Sequence, residues 1–355
     1  MKHHLVSCST CVLCLSFMLS ACSGGTPTAK TVAVAYVAHS QSHSMSIINI
    51  PADETISTIE IGDSSVTTGT AKQSSPQNVA VSPDGSRAYV TDGITSVWVV
   101  DTQSRAVVAT IPTGTSPDGV VISPNGKNVY VTTVTCSTPP CASSVEVIDT
   151  ATNAVTSTIP IGITTSVLLQ GIAISSDGTR VYVASGIGNG VWAIDTSTNT
   201  VVATIHTTNV ASADLSVSPD GSHVYTVGWT LPPFVDSYFV DVIDTKTNAQ
   251  TATILLGNQD EPVRMAISPD GGHAYVSAEG GHVWVVDTTQ NALMSTITVS
   301  PGNGLHGLAV TPDGSRVYVT CGNTNTVYVL STATNEVLAA IPSNYPIGVA
   351  ISGAN

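Results

Sequence analysis

From about residue 32 to the C-terminus the chain is a succession of short apolar runs separated by polar turns. One stretch shows the grammar. Val79-Ala80-Val81 is followed by Ser82-Pro83-Asp84-Gly85, then RAYVT at 87–91, VWVV at 97–100, Asp101-Thr102, and VVATI at 107–111. Runs of this length, rich in Val, Ile, Tyr and Thr, predict strands packed into pleated sheets. Proline presets φ at the first turn position, aspartate hydrogen-bonds its own backbone, and glycine takes the left-handed position. No segment sustains a helical period, so the chain reads as all-β.

The grammar repeats. Ser123-Pro124-Asn125-Gly126, Ser175-Ser176-Asp177-Gly178, Ser218-Pro219-Asp220-Gly221, Ser268-Pro269-Asp270-Gly271 and Thr311-Pro312-Asp313-Gly314 copy the first turn. A tyrosine follows each turn, at 89, 130, 182, 225, 275 and 318, and Tyr36 is a seventh. Four-strand units of about 40–45 residues predict a β-propeller. First strands start near residues 78, 119, 171, 214, 264, 307 and 348. The last has no successors, while the first unit, with strands near 31–38, 44–50 and 55–61, lacks its innermost strand. The prediction is seven blades of four antiparallel strands over residues 32–355, with the C-terminal strand completing the first blade. Closure of that kind protects the sheet edges.

The motifs Tyr89-Val90-Thr91-Asp92, Ile148-Asp149-Thr150-Ala151-Thr152-Asn153 and Ala203-Thr204-Ile205 resemble the YVTN-type propeller repeat. Asn49 and Ser331 depart from it at the second turn aspartate. The resemblance implies a seven-bladed, secreted or surface protein and no single activity, because one fold hosts many sites.

Residues 1–22 read as an address. Lys2, His3 and His4 precede an apolar run over 5–19, too short for a comfortable membrane span. Leu19-Ser20-Ala21-Cys22 resembles the bacterial lipoprotein signal, with Cys22 the lipidated residue. Residues 23–31 (SGGTPTAKT) read as a flexible tether. The implied location is a cell membrane or outer membrane, on the extracytoplasmic side, held through the lipid alone. Export makes a local disulfide between Cys136 and Cys141 plausible. Cys321 is the remaining cysteine outside the signal.

Composition changes the picture in one respect. The formal charge of −14 argues against a nucleic-acid partner. Ten of the acidic residues sit in the two recurring turns, one carboxylate per turn. A calcium loop needs several oxygen ligands in one short segment, so these aspartates read as turn chemistry. Trp98, Trp192 and Trp284 share one repeat position, held by Glu146 and Asp241 in the intervening units. That alternation predicts packing between blades.

Candidate chemistry lies where the loops entering the first strands converge. One aligned position reads Asn78, Gly119, Gly171, Asp214, Arg264, Gly307 and Gly348; the position before it reads Gln77, Asp118, Gln170, Ala213, Val263, His306 and Ile347. Asn78, Asp214 and Arg264 break a glycine rule, and repeat-breaking polar residues at a convergent position mark a site. Asp214 and Arg264, in adjacent blades, are expected to pair. A second candidate is a recognition loop over 228–239, with Trp229, Phe234 and Tyr238. A third is a copper or zinc centre built from His39, His306 and Cys321, whose residue types suit those metals.

No nucleophile elbow, zincin helix, phosphate loop or dinucleotide fingerprint is present. The sequence therefore favours a cofactor-free, non-catalytic scaffold binding a cell-envelope protein, a glycan or a small molecule. The alternative is a hydrolase or lyase resembling lactonase-type propellers, with Asp118, Asp214, Arg264 and His306 at the channel mouth.

Overall fold

Each apolar run becomes a strand, and the strands gather into seven four-stranded antiparallel sheets among the described residues. The computed structural model describes residues 33–62, 75–135, 142–161, 169–186, 190–208, 211–230, 237–258 and 260–353. Blade one holds β1 (Val34–His39), β2 (Ser44–Asn49) and β3 (Glu54–Glu60), and blade two holds β4 (Val79–Val81), β5 (Arg87–Thr91), β6 (Ser96–Asp101) and β7 (Ala106–Pro112). The innermost strands of blades three to seven are β8 (Val120–Ile122), β12 (Leu169–Ile174), β16 (Ala211–Val217), β20 (Pro262–Ile267) and β24 (Leu305–Val310). The C-terminal β28 (Pro346–Ile351) pairs antiparallel with β1, Tyr36 against Ala350 and Val37 against Val349. The protein is a seven-bladed β-propeller whose first blade is closed by its last strand. Cys22, Cys136, Cys141 and Phe234 lie outside the described residues.

The turns work as their residues dictate. Ser82 Oγ donates to Asp84 Oδ1 at 2.6 Å, Ser86 N–H donates to the same oxygen at 3.0 Å, and Arg87 N–H donates to Ser82 Oγ at 2.9 Å. Gly85 has φ +70°, the left-handed region glycine enters without cost. The second turn is tied to the first by its threonine: Thr102 Oγ1 donates to Gly85 O at 2.6 Å, and Thr150, Thr196, Thr245 and Thr332 repeat the bond at 2.7 Å. The asparagines that end the second turns, at 153, 199, 248, 291 and 335, all have φ between 50° and 58°. Asparagine is the usual non-glycine visitor to that region, which explains its recurrence.

Hydrogen bonds from neighbouring hydroxyls and backbone N–H groups hold the turn carboxyls below their usual range, to about 2 for Asp195 and Asp220. A carboxyl depressed in the folded state contributes stability that is present above its unfolded pKa and lost as pH falls through the folded value. The unfolding midpoint should therefore fall steadily as pH drops from about 4 to about 2, as measured by thermal melts across that range. A flat profile would contradict this role for the turns.

The outer edge of every blade carries the same irregularity. Where the third strand meets the fourth, the register skips one residue, as between Val99/Ala109 and Val100/Val107. The same skip recurs in the other six blades. The extra residues include Ile56, Val108, Val202, Met294 and Leu338, all exposed. A bulge bends and twists an edge strand away from flat pairing with another chain, so it guards a face that these apolar side chains alone would leave prone to association.

The core lies between blades. One apolar cluster joins blades one and two through Tyr36, Ile47, Val79 and Val90, with Trp98 packed against it. Trp192 sits between blades three and four, and Trp284 between blades five and six. The intervening seams use acids at that position. Asp241 is fully buried and accepts hydrogen bonds from Gln250 Nε2 and Thr253 Oγ1, each at 2.8 Å. Glu146 Oε1 accepts Gly114 N–H at 2.8 Å, and burial pushes its carboxyl up. The seam between blades seven and one is pinned by Asp53, which accepts hydrogen bonds from Arg316 Nη1 at 2.7 Å and Tyr318 Oη at 2.5 Å.

Candidate functional site

The innermost strands approach one another so closely that a side chain rarely fits between them. A Cβ on Gly119 would lie 2.7 Å from Ile172 Cγ2, one on Gly171 would lie 2.8 Å from Asp214 Cα, and one on Gly348 would lie 2.8 Å from Asn78 Cα. Glycine predominates here because the neighbouring strand occupies the space. The polar exceptions, Asn78, Asp214 and Arg264, line a small cleft of about 110 Å³ near the axis, together with Gln170. Above it opens a cavity of about 400 Å³ lined by Gln77, Asp118, Gln170, Arg264 and His306 on its polar side. Pro117, Val134, Leu169 and Ile347 form its apolar wall. Residues from blades one, two, three, four, six and seven thus meet at one mouth.

The ion pair is not the expected one. Arg264 faces Asp118, with Nη2 3.8 Å from Oδ1, and reaches it across the channel from blade six to blade three. The Asp214 carboxylate instead accepts Met265 N–H at 2.8 Å on Oδ2, joining the inner strands of blades five and six. Burial pushes the Asp214 carboxyl up to about 6, against the opposing pull of the nearby Arg264 charge. Adjacency around the ring suggested the wrong partner because a long side chain rooted near the axis can span the channel.

The Asp118 carboxylate also accepts Asn78 Nδ2–H on Oδ1 at 2.7 Å. Its side chain is 32% exposed, so it is enclosed by the funnel yet wet; that enclosure raises its pKa, with Arg264 opposing. The Arg264 guanidinium makes one hydrogen bond among the described residues, from Nη1 to Val263 O at 3.2 Å. At 3.8 Å from Asp118 it is an ion pair without a hydrogen bond. The Gln170 Oε1 atom is buried with no partner, and no ring nitrogen of His306 is hydrogen-bonded, among the described residues. Burial first, then the Arg264 charge, lowers the His306 pKa and keeps the imidazole neutral at pH 7. Gln77 is committed to its own loop, Nε2 donating to Ser75 O and Oγ at 3.0 Å.

The metal candidate comes apart. His39 is buried at the seam of blades seven and one, with Nδ1 3.1 Å from Ser44 Oγ and Nε2 2.9 Å from Ser343 Oγ. Burial drops its pKa to about 4. Cys321 is fully buried in the apolar cluster of blades six and seven, and His306 lies at the channel mouth. The structure does not gather these three as ligands, and no group of three or more His, Cys, Asp or Glu side chains among the described residues is arranged to hold a metal. His39 and Cys321 each follow the Tyr-Val-x of a second strand, and that shared rank said nothing of which way each side chain faces.

Trp229 and Tyr238 are paired residues of one antiparallel hairpin, Trp229 ending one strand and Tyr238 beginning the next. Both pack against the core of blades five and six, and the Tyr238 ring lies 6.5 Å from that of Trp284. They extend the blade as partly buried residues; residues 231–236 of the 228–239 candidate, Phe234 among them, lie outside the described residues.

No protein-family model matches this chain, and no curated protein matches it. Solved structures do. Kuenenia stuttgartiensis hydrazine synthase is 20% identical with a TM-score of 0.68, over 81% of this chain and 92% of that one. A functionally unknown protein from Desulfotomaculum acetoxidans DSM 771 is 18% identical with a TM-score of 0.70, over 91% and 99%. Dihydro-heme d1 dehydrogenase NirN in complex with DHE is 15% identical with a TM-score of 0.59, over 89% and 74%. At these identities the likeness shows the propeller fold alone, which carries varied functions.

Proposed function

We propose that this chain is an extracytoplasmic propeller of the YVTN type, held to a membrane by lipid on Cys22, that works as a non-catalytic binding scaffold. Its binding site is the channel mouth, and its ligand is a small polar molecule. The observation that carries this reading is unfilled hydrogen-bonding capacity. The Arg264 fork, the His306 ring and the wet side of Asp118 face a cavity of about 400 Å³, which Gln170 also lines. The turn aspartates, by contrast, accept hydrogen bonds from neighbouring hydroxyls and backbone N–H groups. Convergent polar groups in a preformed pocket of this size are the usual make-up of a small-molecule site. A concave mouth lined by six blades suits a small molecule better than a protein surface.

A hydrolase reading rests on the same cavity, since Asp118, Arg264 and His306 line it together. Asp214, the fourth residue of that reading, has its carboxylate turned onto the backbone of the neighbouring blade, which favours binding over catalysis.

The test is a thermal-shift screen of the purified full chain against amino acids, neutral sugars, hydroxy acids and lactones, with wild type and the D118N/R264Q variant side by side. A ligand at 100 times its Kd should stabilise the wild type by about 2.7 kcal/mol and leave the variant unmoved. Equal shifts in both proteins would remove the site from the channel mouth, and lactone turnover by the wild type alone would replace binding by catalysis.

A further inference from the structure

The charges at the mouth say which small molecule fits. Arg264 and Asp118 are opposite charges rooted in opposite blades and brought to 3.8 Å, close enough to attract but too far to share a hydrogen bond. Each keeps binding capacity toward the cavity. A guanidinium offers five N–H donors, and Arg264 spends one of them on Val263 O. Asp118 Oδ1 takes Asn78, while Oδ2 has no partner among the described residues. The pair is neutral as a whole, so a singly charged ligand would satisfy one member and face repulsion from the other.

Resting on the channel-mouth reading above, we propose that the ligand is an α-amino acid with an aliphatic side chain, its carboxylate on Arg264 and its ammonium on Asp118. The spacing supports the α-zwitterion over longer ones. Backbone bond lengths put an amino acid's nitrogen and carboxylate oxygens about 3 Å apart, which matches neighbouring protein charges 3.8 Å apart. A dipeptide or an ω-amino acid separates its charges further. Arginine meets a carboxylate with parallel donors from its fork, and a carboxylate accepts the ammonium protons. Gln170 lines the same cavity beside them.

The remaining wall argues for the side chain. Pro117, Val134, Leu169 and Ile347 are apolar and stand in the same cavity. No Phe, Tyr or Trp side chain lines it among the described residues. An aliphatic group is buried there by the hydrophobic effect; a sugar ring would lack the flat aromatic platform that matches its apolar face.

The experiment is calorimetric titration of the full chain at pH 7.5 with L-leucine, N-acetyl-L-leucine, L-leucinamide, Leu-Leu and glucose. Leucine should bind, and each singly charged or longer analogue should bind at least tenfold more weakly. Asp118→Asn should weaken leucine at least tenfold while narrowing the gap between leucine and N-acetyl-leucine. Arg264→Gln should narrow the gap between leucine and leucinamide. Circular dichroism of each variant confirms that it is folded. Absence of leucine binding, or glucose or N-acetyl-leucine binding as tightly as leucine, would overturn the proposal. If one of those other probes binds in wild type and is lost in D118N/R264Q, the channel-mouth reading stands and the zwitterion alone fails. If no probe's binding depends on Asp118 or Arg264, both fail.

Discussion

A chain truncated before Pro346 is expected not to fold. The strand removed, β28, supplies the innermost edge of blade one and hydrogen-bonds β1 at Ala35, Tyr36 and Val37. Ala35 and Val37 are fully buried, so removing β28 exposes both their backbone groups and the apolar cluster they share with Tyr318, Val327 and Ile341. It also opens the ring, because Gly348 packs directly on Asn78 of blade two. A small protein's whole stability is about 5–15 kcal/mol, and losing a strand that closes two seams is expected to exceed that margin. The truncated chain should give no cooperative thermal transition. A milder change, Val349→Asp, puts a carboxylate beside that cluster and should cost about 2–4 kcal/mol while leaving a folded protein. A truncated chain melting within a few degrees of the full one would show that the ring is not closed in this way.

The second large effect is expected at the inner glycines. Gly171→Val places a branched side chain where Asp214 Cα, Asp214 Oδ1 and Leu215 N all lie 2.8 Å from the new Cβ. Two of those atoms are backbone of the next blade's inner strand and cannot rotate aside. Overpacking of a close-packed interior costs about 1–3 kcal/mol where neighbours can yield, so about 3 kcal/mol or more is expected here. Gly272→Ala is the control: its nearest neighbour is Asp270 Oδ1 at 3.5 Å, an ordinary contact. Chemical denaturation should find Gly272→Ala unchanged or slightly stabilised. If both substitutions proved equally mild, close approach of the inner strands would not be the reason for glycine at this position.

The blades were legible because each one repeats the same local physics. Ser-Pro-Asp-Gly makes a turn wherever it stands, and the tyrosine after it is buried in the same way each time. The orphan C-terminal strand told of closure because an unpaired inner strand and an incomplete first blade answer each other. The alternation of Trp98, Glu146, Trp192, Asp241 and Trp284 was likewise readable as packing between blades. The convergence of Gln77, Asp118, Gln170, Arg264 and His306 followed from two adjacent ranks in the repeat.

Direction was not legible. Rank in a repeat fixes height along the axis, but the partner of a long side chain depends on the width of the ring. Arg264 therefore pairs with Asp118 of blade three and not with Asp214 next door. His39 and Cys321 hold one rank in neighbouring blades, yet His39 is spent on two serine hydroxyls and Cys321 on apolar packing. The bulge at every outer edge also escaped the sequence, because one residue added to the fourth strand of each blade leaves the repeat unchanged.

The central claim is that the polar residues at the channel mouth serve a ligand and do not hold the ring together. The most direct measurement is the unfolding free energy of the D118N/R264Q variant against wild type, by guanidinium denaturation at 25 °C and neutral pH. A part-exposed pair at 3.8 Å without a shared hydrogen bond is worth about 1 kcal/mol or less. The account therefore predicts two proteins equally stable to within about 1 kcal/mol. A loss of about 3 kcal/mol or more, the scale of breaking a buried ionic network, would make Asp118 and Arg264 a structural plug and contradict it.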